Sequence, residues 1–349
     1  MKTPLIDRPY LPNPRCQPQS QNDLLRERAL FLRRIRDFFT QRGFLEVETP
    51  ILIPCADPSP HLASFRTWYE HPYTSERQRL FLHTSPEFAM KRLVAAGYPR
   101  IFQICKFFRN NEDSPLHNPE FTGLEWYQTD ADYCRLMDLT EAMCMELWPS
   151  GQLRYQGRLF DVQAPWERLT IHESLRRYAG IDFPPQIEYG DLKQACLQKG
   201  LSVAADDAWD DLFFKLLITF VEPHLGQERP TFLLDYPKEL AALARTKADQ
   251  PAIAERVELY IAGIELANGY SELIDPIEQQ RRWEADAQIR QNRGDEDAFP
   301  VDPLFLSALA SGLPPTAGIA IGLDRLLMLC LDAPTLHDIL PFPFSPSIR

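Results

Sequence analysis

Apolar residues recur along this chain with two periods, and the switches between them lay out the elements. From Asn22 the positions Leu25, Ala29, Leu32, Ile35 and Phe39 share one helical face, Arg26, Arg33, Arg34 and Arg36 lie mostly on others, and Gly43 closes the run. Phe44, Leu45 and Val47 predict a short strand that stops at Thr49-Pro50, which by itself is ordinary turn chemistry. Ser85, Pro86 and Glu87 read as the N-cap, first-turn proline and first-turn acid of a helix over 86–96, ended by Gly97. Two period-2 runs follow, over 100–109 and 121–129. The first sets Ile101, Gln103 and Cys105 against Phe102, Ile104 and Lys106; the second carries Phe121, Trp126 and Tyr127.

Further along, Leu136, Thr140, Met143 and Leu147 form one stripe of a helix over 133–148, and Gln156-Gly157 centres a hairpin over 153–162. Several helices are predicted between 170 and 226, separated by Gly180, Pro184-Pro185 and Gly200. A strand over 231–236 stops at Pro237. In the next run Val257, Leu259 and Ile261 alternate with Glu258 and Tyr260, which puts Glu258 on the opposite sheet face. A glycine-bearing segment, 317–325, leads into an apolar helix over 326–331. No repeat, low-complexity block or Gly/Ser-rich linker divides the chain.

Composition narrows the class. The 349 residues, 44% of them hydrophobic, can bury a large core, and length alone allows about two domains. A net charge of −12 argues against broad attraction to nucleic acid and leaves a local basic patch open. Seven cysteines are scattered without a C-x-x-C pair or a clustered histidine, so a reducing cytoplasm is expected, with neither a disulfide framework nor a zinc site. Pro4, Pro9, Pro12, Pro14 and Pro18 with no apolar run lead us to expect neither a signal peptide nor a membrane span, and residues 1–21 are expected to be a Pro-rich arm.

Three stretches carry candidate chemistry. The loop after the first period-2 run holds Arg109, Asn110, Asn111, Glu112, Asp113, His117, Asn118 and Glu120, more hydrogen-bonding side chains than a turn needs, though a surface Ω-loop would accommodate them. Capping explains Ser85 and Pro86 and leaves Glu87 over. Glu258, Glu265, Asn268, Tyr270 and Glu272 read as a solvated strand face, except that their neighbourhood is strongly apolar.

Phe108-Arg109-Asn110, followed by His117-Asn118-Pro119-Glu120-Phe121-Thr122 and Leu124-Glu125-Trp126-Tyr127, resembles motif 2 of class II aminoacyl-tRNA synthetases, most closely the lysine-specific ones. Residues 43–50 resemble motif 1, and the segment from Ala317 to Asp324-Arg325 resembles motif 3. The run Glu265-Leu266-Ala267-Asn268-Gly269-Tyr270-Ser271-Glu272-Leu273 resembles the lysine-enzyme signature. The resemblance implies an α+β fold, a class II synthetase catalytic domain over 22–349 whose mostly antiparallel sheet is flanked by helices, and a homodimer built on motif 1.

It also implies roles. Arg109 would contact the amino-acid carboxylate and the α-phosphate of ATP, Phe121 would stack on adenine, and Arg325 would cover its other face, with Asn110, Asn111, His117, Asn118, Glu265, Leu266 and Gly322 completing the ATP set. A planar permanent cation and an aromatic face suit those jobs. Glu258 and Glu265 would hold Mg2+; Ser85, Pro86, Glu87, Glu125, Tyr127, Asn268, Tyr270, Glu272 and Ala320 would line the amino-acid pocket, with Glu87 binding the substrate's amino group and Glu272, near Glu125 and Tyr127, accepting the side-chain ammonium.

With no anticodon-binding domain expected before motif 1, the sequence is most similar to the elongation factor P β-lysine ligases. Those enzymes activate (R)-β-lysine as its adenylate and transfer it to a lysine of elongation factor P; no tRNA and no membrane would be involved. Asn111 stands where the synthetases have glutamate, which implies weaker ATP binding or selectivity. Ala320 stands where lysyl-tRNA synthetases have glycine, and the β-lysine ligases share the alanine. The competing readings are a truncated α-lysine enzyme, an asparagine-synthetase-type amide ligase and a non-catalytic paralogue. Arg109, Glu258, Glu265 and Arg325 argue against the last, and the 268–272 signature argues against the amide ligase.

Overall fold

The computed structural model describes residues 18–60, 62–292, 294 and 302–344. The expected Pro-rich arm lies outside these up to residue 17. Residues 18–21 are a correction: the first helix runs Pro18–Gln41, four residues earlier than the apolar stripe suggested. A first-turn proline lacks only an N–H that has no partner inside the helix. By contacts the chain forms two compact units, one made of residues up to 130 with 274–316 and 320 onward, the other of Ala131–Leu273 with Ala317–Ile319. Both are α+β, and their strand pairs are mostly antiparallel.

In the first unit Arg100–Phe108 and Glu120–Thr129 form the expected antiparallel pair, with Ile101 opposite Tyr127 and Phe107 opposite Phe121, and Leu45–Glu46 adds a parallel edge. The first helix covers this sheet with aromatics. Phe39 stacks on Phe102 at 5.0 Å and tilts against Trp126 at the same centroid distance. Gly123 is required where it stands, because a Cβ there would lie 2.3 Å from the ring of Phe107, itself stacked on Phe121 at 5.4 Å. Helices Glu87–Ala95, Pro276–Asn292 and Pro303–Ala310 meet in a second cluster, where Phe88, Trp283 and Phe305 pack with Met90, Val94, Ile101 and Tyr127. The last two of these helices were not foreseen. Arg66–Glu70 and Arg77–Leu82, with Leu52–Ile53, make a small separate sheet.

One ionic knot ties three parts of this unit that are distant in sequence. Asp324 accepts the Thr122 N–H at 2.7 Å and pairs with Arg28 at 2.7 Å, and Arg28 also donates to the Thr122 hydroxyl at 2.7 Å. The first helix, the second hairpin strand and the Leu323–Cys330 helix are thereby fixed to one another.

In the second unit Glu167–Thr170, Thr231–Pro237, Ile253–Ile261 and Ile264–Ser271 lie side by side in that order. Helical segments between 171 and 225 bury Leu192, Leu212, Phe213 and Leu216 against them. The expected hairpin forms at Gln152–Tyr155 and Arg158–Asp161, with Gln156 and Gly157 at φ 50° and 74°, the twisted turn that suits two strands. Helix Tyr133–Leu147 is capped by Asp132, and its first N–H donates to Ser271 Oγ at 2.9 Å. Gly269 permits close packing, since a Cβ there would stand 2.6 Å from Ile319.

Asp324 is 1% exposed, so removing its charge strands Arg28. Asp324→Asn is expected to cost about 3 kcal/mol, the usual penalty for breaking a buried pair from one side. Calorimetric melting of the two proteins checks this; coincident midpoints would remove the knot from the list of stabilising contacts.

Candidate functional site

The start of the Glu87–Ala95 helix is where local capping and site chemistry coincide. Pro86, not Ser85, occupies the cap position, and Glu87 is the first helical residue. The Ser85 hydroxyl still does a cap's work, accepting the Glu87 N–H at 3.0 Å, and it donates its own proton to Glu125 Oε2 at 2.7 Å. Tyr127 donates to the other oxygen, Oε1, at 2.6 Å. Glu125 and Tyr127 are two apart on one strand and so face the same way. Glu87 is paired with Lys91, one helical turn on, at 2.5 Å. The unit therefore brings Ser85, Glu87, Glu125 and Tyr127 together as the sequence suggested. It adds Lys91, which reasoning from sequence missed although an acid and a lysine four apart on a helix are a recognisable pair.

Glu125 is 2% exposed, and its carboxyl is pushed up to about 7, by burial first and the charge of Glu87 second; the Tyr127 and Ser85 hydroxyls and Lys91 pull the other way. Asp57 is a further acid within electrostatic reach of Glu87. Burial raises it to about 6, and the Ser59 N–H, Arg290 and Arg109 moderate the shift. Its loop is held by buried Arg290, which donates to the carbonyls of Pro58 at 2.9 Å and Ser59 at 2.6 Å and to that of Leu62.

The hairpin loop is a built structure. Arg109 N–H donates to Pro119 at 2.9 Å and Asn110 N–H to Ala63 at 2.8 Å. Asn111 has φ 65°, left-handed backbone that asparagine tolerates better than glutamate, so the departure from the synthetase pattern has a local backbone reason. The Arg109 guanidinium lies 5.3 Å from the Phe121 ring centroid and 3.8 Å from Glu112, and its Nε is buried without a hydrogen-bond partner, as an anion-binding donor would be. Arg325 donates through Nε to the Leu116 carbonyl at 3.0 Å and reaches His117 Nε2 at 2.7 Å, while His117 Nδ1 lies 2.7 Å from Ser114 Oγ. Burial and then Arg325 hold His117 below its ordinary pKa, so the ring is neutral and its proton sits on Nδ1. Asn118 is buried and committed to structure: it donates to the Glu120 carbonyl and accepts the Phe344 N–H at 2.8 Å. Ala320 and Gly322 are half-buried, and Gly322 caps the Leu323–Cys330 helix.

In the second unit Arg256, Glu258 and Tyr260 share one strand face, as the alternation required. Glu258 accepts from Arg256 at 2.6 Å and from Tyr260 at 2.8 Å. Glu265 is exposed, and with Glu258 it raises the phenols of Tyr236 and Tyr260, both shifted mainly by burial. Leu266 is core, Tyr270 packs on Ala241, Ala244 and Ala254, and Glu272 is 1% exposed. Asn268 Oδ1 is buried with no hydrogen-bond partner.

Among the described residues no group of three or more His, Cys, Asp or Glu could by itself hold a metal. The donor set that remains, exposed Glu265 and Glu258 with spare lone pairs, fits magnesium that brings phosphate oxygens and water of its own. A cleft of about 550 Å³ in the first unit, lined by Glu48, Pro50, Arg92, Leu304 and Ser307 among others, contains none of the site residues, so volume alone does not locate the chemistry.

The model of the family "tRNA synthetases class II (D, K and N)" matches residues 14–346. Relatives include the elongation factor P–(R)-β-lysine ligases of Salmonella paratyphi B and Salmonella schwarzengrund, each 42% identical over 328 residues that cover 93% of this chain and 96% of theirs. The lysine–tRNA ligase of Moorella thermoacetica is 41% identical over 320 residues, 90% of this chain and 64% of that protein.

The raised carboxyl of Glu125 gives a signed expectation. Its folded value of about 7 exceeds the ordinary glutamate value of 4.5, so its contribution to stability is fully present below pH 4.5 and is lost as pH rises through 7. Glu125→Gln stays neutral and should make the ligand-free protein more stable at pH 8, by up to about 3 kcal/mol, with little difference at pH 5. Denaturant titrations at the two pH values test it, and equal gains at both would contradict it.

Proposed function

This chain belongs to the class II tRNA synthetase family of the D, K and N type and is an ATP-dependent ligase, and from that premise we propose that it activates (R)-β-lysine and transfers it to elongation factor P. The observation that carries the reading is Glu125, a buried carboxylate whose hydrogen-bond donors are two neutral hydroxyls, the complement of a ligand ammonium. Identity running over 96% of the length of the Salmonella ligases supports the choice of substrates.

The substrate carboxylate attacks the α-phosphorus of ATP and pyrophosphate leaves. The ε-amine of a lysine on elongation factor P then attacks the carbonyl of the mixed anhydride, loses a proton, and AMP departs. Arg109 binds the carboxylate and the α-phosphate and stabilises the charge developing at phosphorus, so no protein nucleophile is needed. Phe121 and Arg325 take the adenine ring; the bonds that Arg325 donates to Leu116 and His117 keep it in one orientation. Asn110, Asn111, His117, Asn118, Leu266 and Gly322 shape the nucleotide site, Asn118 by holding the loop. By the family resemblance, the amino acid is assigned Ser85, Pro86, Glu87, Glu125, Tyr127 and Ala320 of the first unit, and Asn268, Tyr270 and Glu272 of the second, with Glu272 as acceptor of the far ammonium. Glu258 and Glu265 would hold Mg2+, which when bound neutralises phosphate charge.

We infer a homodimer from exposed Leu25, Leu30, Leu45, Ile51 and Leu52, which offer apolar surface on the first helix and the strands after it. We propose that the enzyme works in the cytoplasm without tRNA. No helix of the described residues is long and apolar enough to cross a membrane. A second reading, activation of α-lysine, is supported by the match to the Moorella enzyme.

ATP–pyrophosphate exchange with the two lysines side by side separates these readings, with (R)-β-lysine expected to be the faster substrate. Mass spectrometry should find one β-lysyl group on elongation factor P and bulk tRNA uncharged; charged tRNA would favour the second reading. Within this scheme the Ala320 methyl excludes the α-amine, at a typical overpacking cost of about 1–3 kcal/mol. Ala320→Gly should therefore raise α-lysine exchange relative to β-lysine roughly ten- to a hundredfold. An unchanged ratio in the folded variant would place selectivity elsewhere, near Ala63 or Ser85.

A further inference from the structure

Arg66–Glu70 is exposed along its whole length and forms one edge of the small three-stranded sheet, with Arg77–Leu82 between it and Leu52–Ile53. The register sets Arg66 opposite Phe81, Trp68 opposite Arg79 and Glu70 opposite Arg77. Leu82 N–H donates to the Phe65 carbonyl at 3.0 Å and His71 N–H to that of Glu76 at 3.1 Å, so the bonds to the inner strand run through Phe65, Thr67, Tyr69 and His71. The N–H and C=O groups of Trp68 and Glu70 therefore point away from the sheet, and no described residue bonds to them. A short edge left open in this way is a template for one more strand.

The side chains around this edge are of the kind that anchor protein interfaces. Trp68 is 52% exposed, Tyr69 49% and Tyr73, at the hairpin tip, 91%. The sheet face that holds Trp68 also holds Arg66, Arg77 and Arg79 against one acid, Glu70, in a chain whose net charge is −12. The Arg77 guanidinium lies 4.9 Å from the Trp68 ring centroid and 3.2 Å from the Glu70 carboxylate. Both ends of the hairpin are rooted beside the acid cluster. Ala63, shortly before it, accepts the Asn110 N–H at 2.8 Å, and Ser85, shortly after it, donates to Glu125 at 2.7 Å. Arg79 precedes Ser85 by six residues, so Trp68, across the ladder from it, stands no more than about 25 Å from that serine.

We propose that this edge docks the protein acceptor: an extended acidic segment of elongation factor P pairs with Arg66–Glu70, beside Trp68 and Tyr69, while the target lysine enters the site. The inference deepens the proposed function and rests on it for the identity of the acceptor. The reaction needs such a surface, because a lysine side chain alone does not tell one protein from another. A standard interface covers about 800 Å² on each partner, enough to span the edge and the site together. Backbone pairing supplies affinity, the arginines select acidic side chains, and the aromatic rings bury apolar ones. The dimer surface proposed above reaches this sheet at its opposite edge, Leu52–Ile53, and leaves Arg66–Glu70 open.

Trp68→Ala and Arg77→Glu, both at exposed positions outside the assigned catalytic and binding groups, test this with purified elongation factor P. Each should raise KM for elongation factor P about tenfold or more, with ATP–pyrophosphate exchange and melting temperature as in wild type. Trp68→Pro, which also removes an outward N–H that the hairpin does not use, should cost more than Trp68→Ala; equal effects would overturn the strand pairing. The Arg77→Glu defect should shrink as salt is added. If Trp68→Ala does not fold, Tyr69→Ala and Arg77→Glu decide by the same criteria. An unchanged KM for elongation factor P in the folded variants overturns the proposal. So does a dimer that dissociates at unchanged acceptor KM, which would assign the edge to a second copy, or loss only of binding to bulk tRNA, which would assign it to nucleic acid. Direct titration of the ligand-free enzyme with elongation factor P separates this proposal from the one it rests on. Binding that requires Trp68, with no modification by the wild type, sinks the proposed function and leaves the docking edge standing. Modification with binding indifferent to Trp68 does the reverse, and neither binding nor modification sinks both.

Discussion

A carboxylate held in an apolar interior without a cation of its own is costly, and the first unit is arranged around tolerating one. Glu125 keeps two hydroxyl donors, and each comes from an element that packing already fixes: Tyr127 from the same strand and Ser85 from the turn that opens a helix. The helix is held by Met90 and Val94 in the cluster with Trp283 and Phe305. Its next turn supplies Lys91, which pairs with Glu87 and pulls the Glu125 carboxyl down. Packing thus sets the charge of the cluster.

Around this centre the unit uses arginines as clamps. Arg290 gathers three carbonyls of the loop that carries Asp57. Arg325 fixes the hairpin loop through the Leu116 carbonyl and the neutral ring of His117. Arg28 and Asp324 join the first helix to the strand behind Phe121. A guanidinium presents several donors in one plane, so Arg290 and Arg325 each order a loop that has little regular structure of its own. The gain is pre-organisation: in their proposed roles Arg109 and Phe121 would be in place before a nucleotide arrives, and little ordering would remain to oppose binding.

The second unit treats its acids differently. Glu258 is neutralised in place by Arg256 and Tyr260, while Glu265 is left exposed on the neighbouring strand. In the proposed role, one committed and one exposed carboxylate would hold magnesium weakly by themselves and better once phosphate oxygens complete the site.

Local chemistry made much of this legible in the sequence. Period-2 alternation gave the 100–129 hairpin and put Glu258 on the face it shares with Arg256 and Tyr260. Ser85, Pro86 and Gly97 bracketed the helix that carries Glu87, within one residue of its observed limits. Motif wording singled out Arg109, Glu125 and Arg325 as candidates. Helices Pro276–Asn292 and Pro303–Ala310 escaped: in the first, Asp275-Pro276 is a start signal, but charged residues surround most of its circumference and dilute the apolar stripe. The partners escaped too: Lys91 as the cation of Glu87, His117 as the rest for Arg325, and Thr122 and Arg28 on Asp324. Periodicity and capping are set by neighbours within a few positions, so a sequence displays them directly. A buried charge takes its partner from whatever element the hydrophobic core brings beside it, and that choice exists only once the chain is packed.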